Sequence, residues 1–150
     1  MSVDEAQHSR LPAGAAPLRL ALDQDFAMLR RIRDRAAAFV RRHLPHAGAD
    51  AVADVRLVLD EMACNALRHA RPPCELTLSL RGDRILIEVS DSLTDIARYR
   101  EGYEGGGRGL ALIDAIADRW GQTPLPRGKT VWAELALCSD SRRTESPEPR

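Results

Sequence analysis

The residues best suited to chemistry are a carboxylate and a carboxamide four positions apart. They are Glu61 and Asn65, in the stretch Leu57-Val58-Leu59-Asp60-Glu61-Met62-Ala63-Cys64-Asn65-Ala66-Leu67-Arg68-His69-Ala70. On a helix, residues four apart are surface neighbours. A carboxylate beside an amide oxygen suits a hard cation such as Mg²⁺, which keeps several waters and takes further ligands from substrate phosphates. The carboxylate could instead serve as a base toward an attacking hydroxyl or water. The same pair also fits a solvated helix face with no chemistry at all. Leu57 and Val58 flank the polar arc, which is odd for a face open to water and implies that something covers part of it.

Three further groups stand downstream. Gly105-Gly106-Gly107-Arg108-Gly109-Leu110 precedes an apolar periodic stretch. Glycines let backbone N–H groups approach a phosphate, and the positive end of a following helix points at the same place. Arg108 could add a charge-assisted contact to a phosphate oxygen. A flexible loop feeding a helix would look the same. Asp91 closes an alternating segment. A buried carboxylate there could accept a hydrogen bond from an exocyclic amine such as that of adenine, or simply begin a turn. Thr130, in Gly128-Lys129-Thr130, could bring a hydroxyl near the same ligand, or merely favour a strand. His69 has no second ligand at metal spacing, and no Ser-His-Asp or Cys-His arrangement is legible. Trp120 and Trp132 read as core or interface residues.

These groups need positioning elements. Leu18-Arg19-Leu20-Ala21-Leu22 alternates and predicts a strand. Asp23 then caps a helix carrying Phe26, Leu29, Ile32, Ala36, Phe39 and Val40 at helical spacing and ending before Pro45. A second helix runs from about Ala51 to Ala70 and is stopped by Pro72-Pro73. Its core face is Val52, Val55, Leu59, Met62, Ala66 and Ala70, with Glu61, Asn65 and Arg68 on the opposite arc. Glu75 to Leu80 and Ile85 to Val89 alternate about Arg81-Gly82-Asp83-Arg84, a hairpin turn. Ser92 to Gly107 is a long loop, expected to be a lid that is mobile without ligand. Leu110 to Trp120 reads as a helix with Gly121 as its stop. Thr130 to Leu137 alternates again. Hairpin strands with helices laid on one face predict an α/β (α+β) two-layer sandwich over a mixed, largely antiparallel sheet.

Composition sets the bounds. A chain of 150 residues fits one domain. Hydrophobic residues are 44% and charged residues 29%, and formal net charge is zero. A neutral chain argues against broad binding to nucleic acid or an anionic membrane. No apolar run approaches a membrane span of roughly 20 residues. The amino terminus lacks the pattern of a signal peptide. Three cysteines, Cys64, Cys74 and Cys138, suggest neither a disulfide framework nor a zinc site. A cytoplasmic protein is expected, with a domain over 17–138 between tails at 1–16 and 139–150 that read as disordered.

The order of these signals is more specific than any one of them. Glu-x-x-x-Asn on a helix, a strand-ending Asp, Gly-Arg-Gly-Leu opening a helix and Gly-x-Thr opening a strand resemble the GHKL, or Bergerat-fold, ATPases. Within them the chain resembles the RsbW-like anti-sigma-factor serine-protein kinases. Asn65-Ala66-Leu67-Arg68-His69-Ala70, Gly106-Gly107-Arg108-Gly109-Leu110, Asp118-Arg119-Trp120-Gly121 and Gly128-Lys129-Thr130-Val131-Trp132-Ala133-Glu134-Leu135 are similar to stretches of the actinobacterial branch.

The resemblance implies that the chain binds Mg-ATP. It implies that Asn65 holds Mg²⁺, that Glu61 takes or positions the proton of an attacking serine hydroxyl, and that Asp91 contacts the adenine amine with support from Thr130. It places Gly105 to Leu110 at the lid over the phosphates. The implied partners are a sigma factor and an anti-sigma-factor antagonist that is the phosphorylated substrate, with a homodimer possible. In one place the chain departs from the family: Asp91 is followed by Ser92 and Leu93, where typical members carry Gly at the second position and another soon after. Two functions then compete, an ATP-dependent protein serine/threonine kinase and an ATP-gated or catalytically inactive anti-sigma binding module. The catalytic domain of a sensor histidine kinase is a third, less favoured reading.

Overall fold

Apolar alternation and helical periodicity resolve, among the described residues of a computed structural model, into five strands and three helices. The structure describes residues 15–22, 25, 27–93 and 107–137, with backbone alone for 107–109. In chain order the elements are β1 (Leu18–Leu22), α1 (Met28–His43), α2 (Ala49–His69), β2 (Cys74–Arg81), β3 (Arg84–Asp91), α3 (Gly107–Ile116), β4 (Arg119–Leu125) and β5 (Gly128–Ala136). The sheet order is β1-β2-β3-β5-β4 and every pairing is antiparallel. Thus the expected two-layer α+β architecture is present, with an antiparallel rather than mixed sheet.

Register sorts the side chains. Leu76, Leu78 and Leu80 of β2, Ile85, Ile87 and Val89 of β3, and Ala133 and Leu135 of β5 are all buried, and all point to the helix side. Each fully buried Leu or Ile contributes about 2 kcal/mol of transfer free energy, so this face holds the layers together. Helix α1 adds Leu29, Ile32, Ala36, Phe39 and Val40, and α2 adds Val55, Val58, Leu59, Met62, Ala63 and Ala66. Val58 is fully buried, so it belongs to the core rather than flanking the polar arc, whereas Leu57 stands 45% exposed. An ion pair ties the two helices, Arg33 Nε to Asp60 Oδ1 at 2.6 Å. That hydrogen bond raises the Arg33 pKa.

The β2–β3 hairpin turns on two residues, Gly82 and Asp83, with Gly82 at φ +60°. Positive φ at the first turn position is the II′ pattern that matches strand twist. Asp23 and Phe26, assigned to the start of α1, lie outside the described residues; within them, Asp25 Oδ1 accepts the Ala27 N–H at 2.9 Å just before the helix. The third helix ends at Ile116, not at Trp120, and Trp120 and Gly121 belong to a strand the sequence reading missed.

That strand, β4, is fastened by polar contacts. Asp118 Oδ2 accepts the Ala136 N–H at 2.7 Å, and the Trp120 indole N–H donates to Asp114 Oδ1 at 2.8 Å. On the face away from the helices, Glu134 is buried and takes Arg84 at 3.1 Å and Arg119 at 3.3 Å. A buried carboxylate is tolerated because it is paired twice. Gly121 leaves room for the Trp132 ring, which would lie 2.9 Å from any added Cβ. The Asp-Arg-Trp-Gly stretch is therefore a structural clasp.

Gly128 opens β5 at φ +157°, and a Cβ there would collide with the Asp91 carbonyl oxygen. Both the backbone angle and the contact exclude a side chain. Gly128→Ala is expected to cost about 2 kcal/mol or more and to lower the melting temperature by about 5 °C or more. Gly48→Ala, in open space at the start of α2, is expected to cost under about 1 kcal/mol. Equal melting curves for the two variants would contradict this account.

Candidate functional site

Residues Glu61 and Asn65 sit one turn apart on α2, about 6 Å along its axis, and both are half-buried. Among the described residues no hydrogen bond or ion pair engages either side chain. Exposed Leu57 stands one turn before Glu61 on the same stripe, and exposed Arg68 one turn after Asn65. Half-buried Cys64 lies beside them; burial first, and the Glu61 charge second, push its thiol pKa up.

Asp91 ends β3 on the helix side of the sheet and is only 7% exposed. Its Oδ1 accepts the Leu93 N–H at 2.6 Å, an Asx turn that fixes the carboxylate's plane. Ser92 is clamped beside it. Its backbone N–H donates to the Arg71 carbonyl at 3.0 Å. Its hydroxyl lies 2.8 Å from the Arg71 oxygen and 2.7 Å from the Pro72 oxygen. These bonds replace the flexibility a glycine would give with a fixed turn. They also join the segment leaving α2 to the end of β3, so the Asn65 end of that helix and Asp91 belong to one rim.

Cys74 begins β2 on the same face. Burial first, then the negative charge of Asp91, raise its thiol pKa. Lys129 is the register partner of Asp91 on β5 and is 6% exposed. Cys74 and Lys129 were missed as candidate site residues. Their signal, the phase of each strand relative to Asp91, needs the register.

Helix α3 begins at Gly107, so the backbone N–H groups of Gly107, Arg108, Gly109 and Leu110 occupy its first turn, where they lack partners within the helix. Its far end is fastened through the Asp118 N–H to the Glu134 carbonyl at 2.9 Å, and α3 packs on α2. Gly105, Gly106 and most of the expected lid lie outside the described residues. Thr130 is not brought together with Asp91. Its hydroxyl lies 2.8 Å from Ser90 Oγ, on the face away from the helices. No group of three or more His, Cys, Asp or Glu among the described residues is disposed to hold a metal ion.

Comparison with known proteins bears on the family and the fold. The family model described as histidine kinase-like ATPase domain matches residues 22–135. The chain belongs to that family, and ATP is the ligand that membership assigns to it. None of the curated proteins matches. Among solved structures, the RsbU and RsbW domains of Rv1364c from Mycobacterium tuberculosis share the fold, at 20% identity and a TM-score of 0.61 over 82% of this chain. This chain spans 33% of that protein. The histidine kinase domain of the Erythrobacter litoralis EL346 blue-light activated histidine kinase gives 22% identity and a TM-score of 0.46, over 83% of this chain and 66% of that one. The Acinetobacter baumannii histidine kinase AdeS gives 13% and 0.48, over 87% and 70%.

The electrostatics of the rim can be measured through Cys74, with Cys64 and Cys138 replaced by serine. A raised pKa means less thiolate at a given pH, so alkylation of Cys74 is expected to climb at higher pH than for an ordinary thiol. Asp91→Asn removes one of the two causes and should move that profile to lower pH. An unmoved profile would mean that Cys74 does not sense Asp91.

Proposed function

We propose that this chain is an ATP-dependent protein serine/threonine kinase of the anti-sigma-factor type, acting on a small protein antagonist in a partner-switching pathway. The observation that carries the nucleotide reading is Asp91, a buried carboxylate at a strand end with one oxygen committed to its own turn. The rim chemistry fits Mg-ATP. Asp91 Oδ2 suits the exocyclic amine of adenine. The first turn of α3, Gly107 to Leu110, suits phosphate oxygens through backbone N–H groups. Asn65 suits a Mg²⁺ that takes its other ligands from phosphates and water. Thr130 acts at one remove, by holding Ser90 beside Asp91.

When bound, Mg-ATP supplies the phosphoryl group. The chain's own contribution is to orient it and to handle one proton. Glu61, one turn from Asn65, suits the role of the group that accepts or positions the proton of a serine hydroxyl. Leu57, exposed beside it, offers an apolar contact to a protein substrate. The RsbW-like motifs of the sequence make a sigma factor and its antagonist the proposed partners, and a homodimer the proposed assembly. No described helix is long and apolar enough to cross a membrane, and the cytoplasm, where ATP and sigma factors meet, is the proposed location.

The Asp91-Ser92-Leu93 turn favours a second reading, an ATP-gated binding module without phosphate transfer. It puts the Leu93 side chain close to where a glycine would let the nucleotide approach.

Calorimetry with Mg-ATP and transfer of labelled phosphate to antagonist proteins separate the two. The kinase reading expects ATP binding that Asp91→Asn weakens at least tenfold. It expects Glu61→Ala to keep binding and lose transfer by a hundredfold or more, on the order of a catalytic base's contribution. Binding without transfer in the wild type would favour the module. No binding would sink both.

A further inference from the structure

We propose that Lys129, the chain's single lysine, is a second base-contacting residue that works with Asp91 to select adenine. This rests on the reading of Asp91 as the residue that receives the adenine amine.

Strand phase decides which side chains of β5 leave on the Asp91 side. In β5, Lys129, Val131, Ala133 and Leu135 share one face, and Thr130, Trp132 and Glu134 share the other. Ala133 and Leu135 are core residues, so the first set faces the helices. The second set is accounted for on the far side: Thr130 bonds Ser90 at 2.8 Å, Trp132 lies over Gly121, and Glu134 holds Arg84 and Arg119. It is therefore Lys129, and not Thr130, whose side chain leaves the strand on the Asp91 side.

Register then sets the distance. Asp91 and Lys129 are direct cross-strand partners, so their Cβ atoms are about 4.5–5.5 Å apart. Both residues are more than nine-tenths buried. Lysine is almost never buried to that degree unless something answers its charge. A carboxylate as cross-strand neighbour on the same face is one such answer. Gly128 keeps the pair close by letting β5 approach the Asp91 carbonyl, where any Cβ would collide.

Side by side, an acceptor and a donor form a two-point probe. The adenine edge presents an amine donor with an acceptor ring nitrogen on either side of it. Asp91 accepts from the amine, and the Lys129 ammonium donates to an adjacent nitrogen. Guanine carries an acceptor oxygen in place of that amine, and the carboxylate would face it unfavourably. A site built to pair buried polar groups rejects a ligand that leaves them unpaired.

The test is calorimetry with Mg-ATP, 1-deaza-ATP, 7-deaza-ATP and Mg-GTP on the wild type, Lys129→Met and Lys129→Arg. The wild type is expected to bind ATP at least tenfold more tightly than one of the two deaza analogues, and to reject GTP. Lys129→Met should bind ATP at least tenfold more weakly and no longer distinguish that analogue from ATP. Lys129→Arg, which keeps a donor, should retain part of the discrimination. The analogue series on the wild type needs no substitution, so it stands even if a variant is unstable. ATP binding that Lys129→Met leaves intact, or equal wild-type affinity for ATP and both deaza analogues, would overturn this inference alone. Absence of ATP binding by the wild type would overturn the reading beneath it as well.

Discussion

The close approach of β5 to the end of β3 is the constraint on which the rest of the site depends. Gly128 lies so near the Asp91 carbonyl that no side chain fits between them. That contact holds a carboxylate under the helices with one oxygen tied to Leu93 N–H at 2.6 Å. A charge buried this far is costly unless its hydrogen bonds are arranged in advance. The Asx turn supplies one such bond, and the Ser92 clamp on Arg71 and Pro72 fixes the turn that makes it. Around it, α2 delivers Glu61 and Asn65, and α3 delivers a first turn of N–H groups that have no partners within the helix.

The sheet separates two kinds of polar chemistry. On the far face, Glu134 is buried between Arg84 and Arg119 and fixes β4 against β5. These charges answer one another within the protein and need no ligand. On the helix face, Asp91 and Lys129 end a ladder that is otherwise apolar, and Glu61 and Asn65 have no partner among the described residues. Polar groups placed at the rim of an apolar layer are what a ligand site offers.

Much of this was legible in the sequence because period and punctuation were strong. The α2 stripe followed from residues 61, 65 and 68 falling on one arc, and Pro72-Pro73 marked its end. The β2–β3 hairpin followed from Gly82-Asp83 between two alternating runs. β4 was missed for a physical reason: Arg119-Trp120-Gly121-Gln122-Thr123-Pro124-Leu125 holds a glycine, a proline and little alternation. It is an edge strand, held by Asp118, Arg119 and Trp120 instead of by a hydrophobic face. Val58 was misread because a helix between two neighbours buries a wider arc than the six residues first assigned to its core. That Thr130 lies on the face away from Asp91 was not legible, because composition alone does not give the phase of a strand; a shift of one residue exchanges the two faces. The turn at Ser92 and Leu93 was legible as a departure, but its clamp on Arg71 was not, since that contact spans 21 positions.

The proposed ligand site lies on the helix face and comprises Asp91, Asn65 and the first turn of α3. Nitrogen-15 chemical-shift mapping with Mg-ATP tests it most directly. The account predicts the largest shifts at the Asn65 carboxamide, at the backbone of Asp91 to Leu93 and at Gly107 to Leu110, with the Trp132 indole unmoved. Shifts centred instead on Thr130, Trp132 and Glu134 would place the ligand on the far face and contradict the account.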